Sequence, residues 1–185
     1  MRTFIAIDLT PEIRTELSNL VRQLRPAGTD VKWVAPNNYH LTLKFIGETG
    51  EKEVEIIKSI INELAKMHRQ FPLAFKGTGS FPQGQSRLRV IWVGVSGGAE
   101  LLALQKDLEE SLKKENFSAD DRPFSPHLTI GRVRHPQKQE KLKAQLDQLS
   151  QKDFGLMPVK EITFFQSVLR PEGPEYKVIS RYHLQ

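Results

Sequence analysis

The sequence predicts an α+β fold built on antiparallel sheets, and three observations carry that expectation. Strand-like and helix-like segments alternate without a regular βαβ rhythm. Turn-forming runs at 82–85 and 171–174 join consecutive strand-like segments as hairpins would. Finally, a nine-residue strand segment near position 40 has a close counterpart near position 127. With 185 residues the chain suits one sizeable domain, or two small lobes sharing a core, and residues 1–185 are expected to form a single bilobal unit.

Residues 3–9 alternate around Phe4, Ile5, Ala6 and Ile7 and read as a buried strand. Thr10-Pro11-Glu12 follows as an N-cap with proline at the first helical position. Ile13, Leu17, Leu20, Val21 and Leu24 then recur at three- and four-residue steps, predicting a helix to about residue 24 that Pro26-Ala27-Gly28 ends. Segments 31–34 and 39–46 are strand-like, and Gly47 and Gly50 separate the second from a helix over 51–67. Runs 71–81 and 87–95 are expected to pair as antiparallel strands, followed by a helix over 99–115 with Leu101, Leu104, Leu108 and Leu112 on one stripe. After the loop Asp120-Asp121-Arg122-Pro123 come a strand over 124–133, a polar helix over 137–149, and strands near 159–169 and 176–182.

Composition narrows the function classes. Lys and Arg number 27 against 22 Asp and Glu, a formal charge of +5 that favours anionic partners and also suits a generic basic surface. The absence of cysteine excludes disulfides, thiolate nucleophiles and Cys-based metal centres, and fits a reducing compartment. The opening apolar run is too short for a signal sequence, and nowhere do about 18 apolar residues run together, so no membrane association and a cytoplasmic location are expected.

The chemistry lies in the repeat. Tyr39-His40-Leu41-Thr42-Leu43-Lys44-Phe45-Ile46-Gly47 matches Pro126-His127-Leu128-Thr129-Ile130-Gly131-Arg132-Val133, with the histidines 87 residues apart. In each copy histidine and threonine sit two positions apart between apolar residues, so strand alternation puts both polar side chains on one face and the aliphatics on the other. One H-x-T would more often be structural; two copies in one domain favour a site. If the halves pack about a pseudo-two-fold axis, both pairs would face a shared groove. Imidazole both gives and takes a proton near neutral pH, so a facing pair supplies a general acid and a general base. Phosphoester cleavage suits that pair, with the threonine hydroxyls donating to phosphoryl oxygens. Metal binding is the competing use of histidine, but the motif offers two ligands and no adjacent carboxylate or HExxH spacing, so no metal and no cofactor are expected.

These residues resemble the 2H phosphoesterase family, and specifically the bacterial and archaeal RNA 2′,3′-cyclic phosphodiesterases once called 2′-5′ RNA ligases. The resemblance runs nearly end to end, through Arg2-Thr3-Phe4-Ile5-Ala6-Ile7, Trp33-Val34, His40-Leu41-Thr42-Leu43, Gly77-Thr78-Gly79-Ser80-Phe81-Pro82, Arg89-Val90-Ile91-Trp92 and Pro126-His127-Leu128-Thr129-Ile130-Gly131-Arg132. It implies a bilobal, pseudo-two-fold arrangement of two antiparallel-sheet lobes with helices outside and a central groove. It also implies metal-independent hydrolysis of 2′,3′-cyclic ends of RNA to 2′-phosphates; RNA ends, tRNA fragments among them, are the expected partners, and the chain is expected to act as a monomer. By position, His40 would protonate the departing 3′-oxygen, His127 would activate water, and Thr42 and Thr129 would hold the phosphate. Phe45 and Arg132 match an aromatic and an arginine that sandwich the terminal base. Strict alternation opposes this, because an offset of five sends both to the face opposite their histidines. Either a bulge or strand end intervenes, or Phe45 is core.

Two alternatives share the groove: a 2′-5′ RNA ligase joining RNA halves, and a non-catalytic nucleotide- or RNA-binding module, against which the intact His and Thr of both copies argue. Outside the repeat, His68, His135 and His183 read as surface or capping residues, and Trp33 as packing rather than a base-stacking platform. Arg87, Arg89 and Lys44 could touch an RNA backbone, although scattered basic residues on strands are usually solvated. The charges at 138–143 read as a solvated helix face, and Gly77-Thr78-Gly79 as a bend rather than a phosphate loop.

Overall fold

A computed structural model describes residues 1–135 and 137–185. Its first strand, β1 (Arg2–Asp8), leads into α1 (Pro11–Leu24), whose five predicted apolar positions are all buried. Thr10 stands at the N-cap through its backbone alone: its carbonyl accepts the Arg14 N–H at 3.0 Å, and its hydroxyl makes no cap bond. Next come β2 (Val31–Trp33), β3 (His40–Glu48) and α2 (Glu51–Met67). Then β4 (Phe71–Phe81) and β5 (Val90–Ser96) pair antiparallel, and α3 (Gly98–Lys114) buries Leu101, Leu104, Leu108 and Leu112. Each such leucine stabilises the fold by about 1.5–3 kcal/mol relative to an exposed one. The chain ends with β6 (His127–Val133), α4 (Glu140–Gln148), β7 (Asp153–Val159), β8 (Glu161–Arg170) and β9 (Gly173–His183). Among the described residues no helix is long and apolar enough to cross a membrane.

Two antiparallel sheets result, in the orders β3-β1-β8-β9 and β2-β6-β5-β4-β7. The chain halves are interleaved between them. β2, which precedes the His40 strand, pairs with β6 of the other sheet, while the C-terminal hairpin β8–β9 completes the sheet that holds β1 and β3. Helix α1 leaves the first sheet and packs on β7 of the second; α3 leaves the second and packs against β3 and β4. One cluster of buried side chains therefore spans both sheets, from Ile5, Ile7 and Leu41 to Ile91, Val93 and Leu128. The expected α+β architecture is what forms.

Register within the two motif strands decides what the site contains. Along β1 and β3, Asp8 faces His40 and Ala6 faces Thr42, but Ile5 faces Lys44, leaving Leu43 as an extra residue. Along β5 and β6, Trp92 faces Thr129 and Ile91 faces Gly131, leaving Ile130 as the extra residue. Each bulge falls three positions after its histidine, and one inserted residue reverses the facing of everything beyond it. Phe45 thereby returns to the His40 face, opposite Phe4, and Arg132 returns to the His127 face, opposite Val90.

Elsewhere the structure departs from the expectations in three places. β7 is a strand that sequence patterning did not predict. Its Gly155 and Pro158 break the pattern, and pairing with β4 at the sheet edge, where proline needs no ladder partner, makes it a strand. The polar helix expected from 137 starts at Glu140, because the residues before it are bound elsewhere. Lys138 bridges Arg87, the Gln139 N–H donates to the Ser86 carbonyl, and the buried Gln139 side chain accepts the Thr29 N–H at 2.9 Å. The strands expected to start at 87 and 124 begin at Val90 and His127, and of the residues ahead of them Arg89, Phe124 and Ser125 line the groove.

Candidate active site

Between the two sheets lies a groove of about 1160 Å³, and His40, Thr42, Phe45, His127, Thr129 and Arg132 all line it. The strands β3 and β6, in separate sheets, approach within 8 Å at their Cα atoms. Each histidine opens its strand, and each is fixed by the carbonyl two residues earlier: His40 Nδ1 lies 2.7 Å from the Asn38 oxygen and His127 Nδ1 2.7 Å from the Ser125 oxygen. A carbonyl only accepts, so Nδ1 carries the proton in both rings, and Nε2 is left to take or give one. The same bond holds each ring's orientation.

The surroundings of the rings differ. His40 sits in an aromatic cage, with Phe4 at 4.8 Å, Tyr176 edge-on at 5.2 Å and Phe165 at 6.4 Å between ring centres. Burial pushes its pKa below the ordinary imidazole value, and the Asn38 carbonyl and the Asp8 carboxylate offset this only in part. His127 meets Phe81 edge-on at 5.3 Å. Phe45 is 64% exposed, which excludes the core alternative; its ring lies 5.9 Å from Phe4 and opens on the groove. Arg132 is exposed on the opposite wall, and Arg89 and Arg122 add positive charge. Among the described residues no group of three or more His, Asp or Glu is placed to hold a metal ion.

Lys44 does not do what its position by simple alternation suggested. The bulge turns it to the core side, where it is 2% exposed and its Nζ bonds Glu109 at 2.8 Å and Asp120 at 2.9 Å. The Asp120 N–H also donates to Glu109, so the loop leading to His127 is pinned to the strand that carries His40. Arg87 bridges Lys138 through its backbone at the edge of the second sheet. Trp33 packs in the core beside Gly131, where a Cβ would lie 3.0 Å from its ring, and the base-stacking role lapses. His68, His135 and His183 pair with Asp107, Asp30 and Glu161. Lys143 pairs with Asp147 along α4, and Gly77 sits at a register shift of β4 with φ of +75°.

A family model described as the 2′-5′ RNA ligase superfamily matches residues 4–168. The chain belongs to this superfamily. Among curated members, the RNA 2′,3′-cyclic phosphodiesterase of Methanothermobacter thermautotrophicus is 33% identical over 184 residues, spanning 100% of this chain and 99% of that protein. That of Archaeoglobus fulgidus is 37% identical over 177 residues, spanning 96% and 97%. The solved structure of TT0787 of Thermus thermophilus superposes with a TM-score of 0.85 at 29% identity, over 100% of this chain and 98% of that one. Escherichia coli LigT complexed with 3′-AMP shares the fold, with a TM-score of 0.80 at 24% identity over 99% and 97%.

In this member of the superfamily one groove brings together the six motif residues singled out in the sequence, while the aromatic cage around His40 was not anticipated there. Phe4 carried a usable signal: in β1 it alternates with Ala6 and Asp8 against the core-facing Ile5 and Ile7, so it had to share a face with whatever strand paired there. Tyr176 and Phe165 carried none, because the C-terminal hairpin joins the first sheet only through long-range pairing.

Proposed function

We propose that residues 1–185 act as one metal-independent hydrolase that opens 2′,3′-cyclic phosphate ends of RNA to 2′-phosphates. The observation that carries this reading is the pair of bulged strands, each presenting a histidine with Nδ1 tied back and a threonine to one groove. The printed names of the relatives from Methanothermobacter thermautotrophicus and Archaeoglobus fulgidus support the substrate class.

In the reaction, water attacks phosphorus as His127 Nε2 takes its proton, the P–O3′ bond breaks, and His40 Nε2 delivers a proton to the departing 3′-oxygen. Thr42 and Thr129 donate hydrogen bonds to the two non-bridging oxygens. Each imidazole contributes about 10²- to 10⁴-fold. A cyclic diester carries one negative charge, within reach of two hydroxyl donors and an imidazolium. Burial lowers the His40 pKa, and the negative charge of a bound diester acts against that shift, favouring the imidazolium that donates the proton. Phe45 and Arg132, on opposite walls, clasp the terminal base, with stacking worth about 1–3 kcal/mol.

Purified protein given an oligoribonucleotide ending in a 2′,3′-cyclic phosphate, with EDTA present, should yield the 2′-phosphate alone. An unopened ring, or a 3′-phosphate product, contradicts the reading. Joining of RNA halves through a 2′-5′ linkage, the reaction in the superfamily's description, would use the same groups in reversed roles, and joined RNA in that assay distinguishes it.

A further inference from the structure

The groove face of the second sheet continues past the site. Lys32 of the edge strand β2 is the direct cross-strand partner of Arg132, and Arg132 is in turn the partner of Val90. Direct partners share a face, so Lys32 stands on the groove side, one strand spacing of about 4.8 Å beyond Arg132. Trp33, its neighbour, is turned to the core. The Lys32 ammonium reaches toward the hairpin of the other sheet: Nζ lies 3.6 Å from where a Cβ on Gly173 would be. That hairpin is held over this end of the groove by the Asn38 side chain, which donates to the Pro174 carbonyl at 2.8 Å.

Like charges directly opposite on neighbouring strands are destabilising. Among the described residues no carboxylate lies within 4.0 Å of Lys32, Arg132 or Arg89: of the acidic residues near the groove, Asp120 is paired with Lys44, and Glu175 with Arg170 and Lys177. A lysine that only guards a sheet edge against pairing needs no arginine facing it. An uncompensated pair at the rim of an anion-binding groove instead needs a second anion.

We infer that Lys32 forms a subsite for the internucleotide phosphate on the 5′ side of the terminal nucleotide, so that the substrate is an RNA end of two or more nucleotides rather than a mononucleotide. The inference rests on the hydrolase reading above and extends it outward. With the cyclic phosphate between the histidines and the terminal base between Phe45 and Arg132, the chain leaves the groove past β2, where Lys32 meets its next phosphate. Lysine serves there as a point charge, tolerant of backbone geometry and indifferent to sequence.

The experiment compares kcat/KM for a dinucleotide and for a 5′-hydroxyl mononucleoside, both ending in a 2′,3′-cyclic phosphate on the same base. The wild type should prefer the dinucleotide by about tenfold or more, the scale of one charge-assisted contact. In Lys32→Ala the ratio should fall toward one, and in Lys32→Glu below it, while Lys32→Arg keeps the preference. The slope of log kcat/KM against log salt should shrink by about 0.7 for the dinucleotide when Lys32 is lost. A wild type that opens both substrates without preference overturns the subsite and leaves the hydrolase standing, as does a preference that survives Lys32→Glu. If neither ring opens, the hydrolase reading fails and takes the subsite with it.

Discussion

His40 and His127 each open a bulged strand, each bond a carbonyl two residues back, and each precede a threonine by two positions, yet the protein surrounds them differently. His40 is enclosed by Phe4, Phe165 and Tyr176, whereas His127 contacts Phe81 edge-on. The difference extends to the residue after each bulge, the buried ion-paired Lys44 on one side and Gly131 making room for Trp33 on the other. A duplicated motif thus fixes the orientation of two imidazoles, and the rest of the fold surrounds them differently, enclosing His40 so that burial lowers its pKa.

The strongest way to break this comparison is to remove each ring. His40→Ala and His127→Ala should each lower kcat/KM by about 10²- to 10⁴-fold on cyclic-ended RNA, measured with circular dichroism to verify folding. A milder loss, about 10²-fold, should follow Thr42→Val or Thr129→Val. Near-equal losses would mean that the phosphate sits centrally, and unequal ones would show which wall carries the developing charge. Lys44→Met should destabilise the fold by about 1–3 kcal/mol in urea denaturation, because its carboxylate partners are partly exposed and can recover water. That variant tests whether the tie between the His40 strand and the His127 loop sets the spacing of the rings.

The subtlest effect concerns protonation. NMR titration should place the His40 pKa below the ordinary value near 6.5, and Tyr176→Ala should move it upward. The same shift links stability to pH. A native state that holds His40 neutral binds fewer protons than the unfolded chain once the pH drops below about 6.5. This contribution to stability is therefore intact above that value and declines as pH falls from it toward the lower native pKa.

Much of this arrangement was legible in the sequence, for identifiable reasons. The helices were, because leucine and isoleucine at three- and four-residue steps leave one way to bury them, as in α1 and α3. The His-Thr pairs were, because alternation over two residues survives any register. Beyond the bulges legibility ended: parity counted from His40 left Lys44 exposed and Phe45 in the core, and one extra residue buried the Lys44 side chain and exposed the Phe45 ring. The bulges exist because β3 and β6 must match β1 and β5, which no local pattern encodes. The interleaving of β2 and of the C-terminal hairpin between the sheets is long-range for the same reason, and Tyr176 reaches His40 only through it.

The division of labour between the rings can be tested by removing the need for one proton. A 3′-deoxynucleoside 2′-(4-nitrophenyl phosphate) keeps phosphorus on O2′ and puts in place of the 3′-oxygen a leaving group that departs unprotonated, so it still requires the base and no longer the acid. His40→Ala should regain most of the wild-type rate on this substrate, and His127→Ala should remain inactive. Equal losses for both variants on both substrates, or recovery by His127→Ala instead, would contradict the assignment.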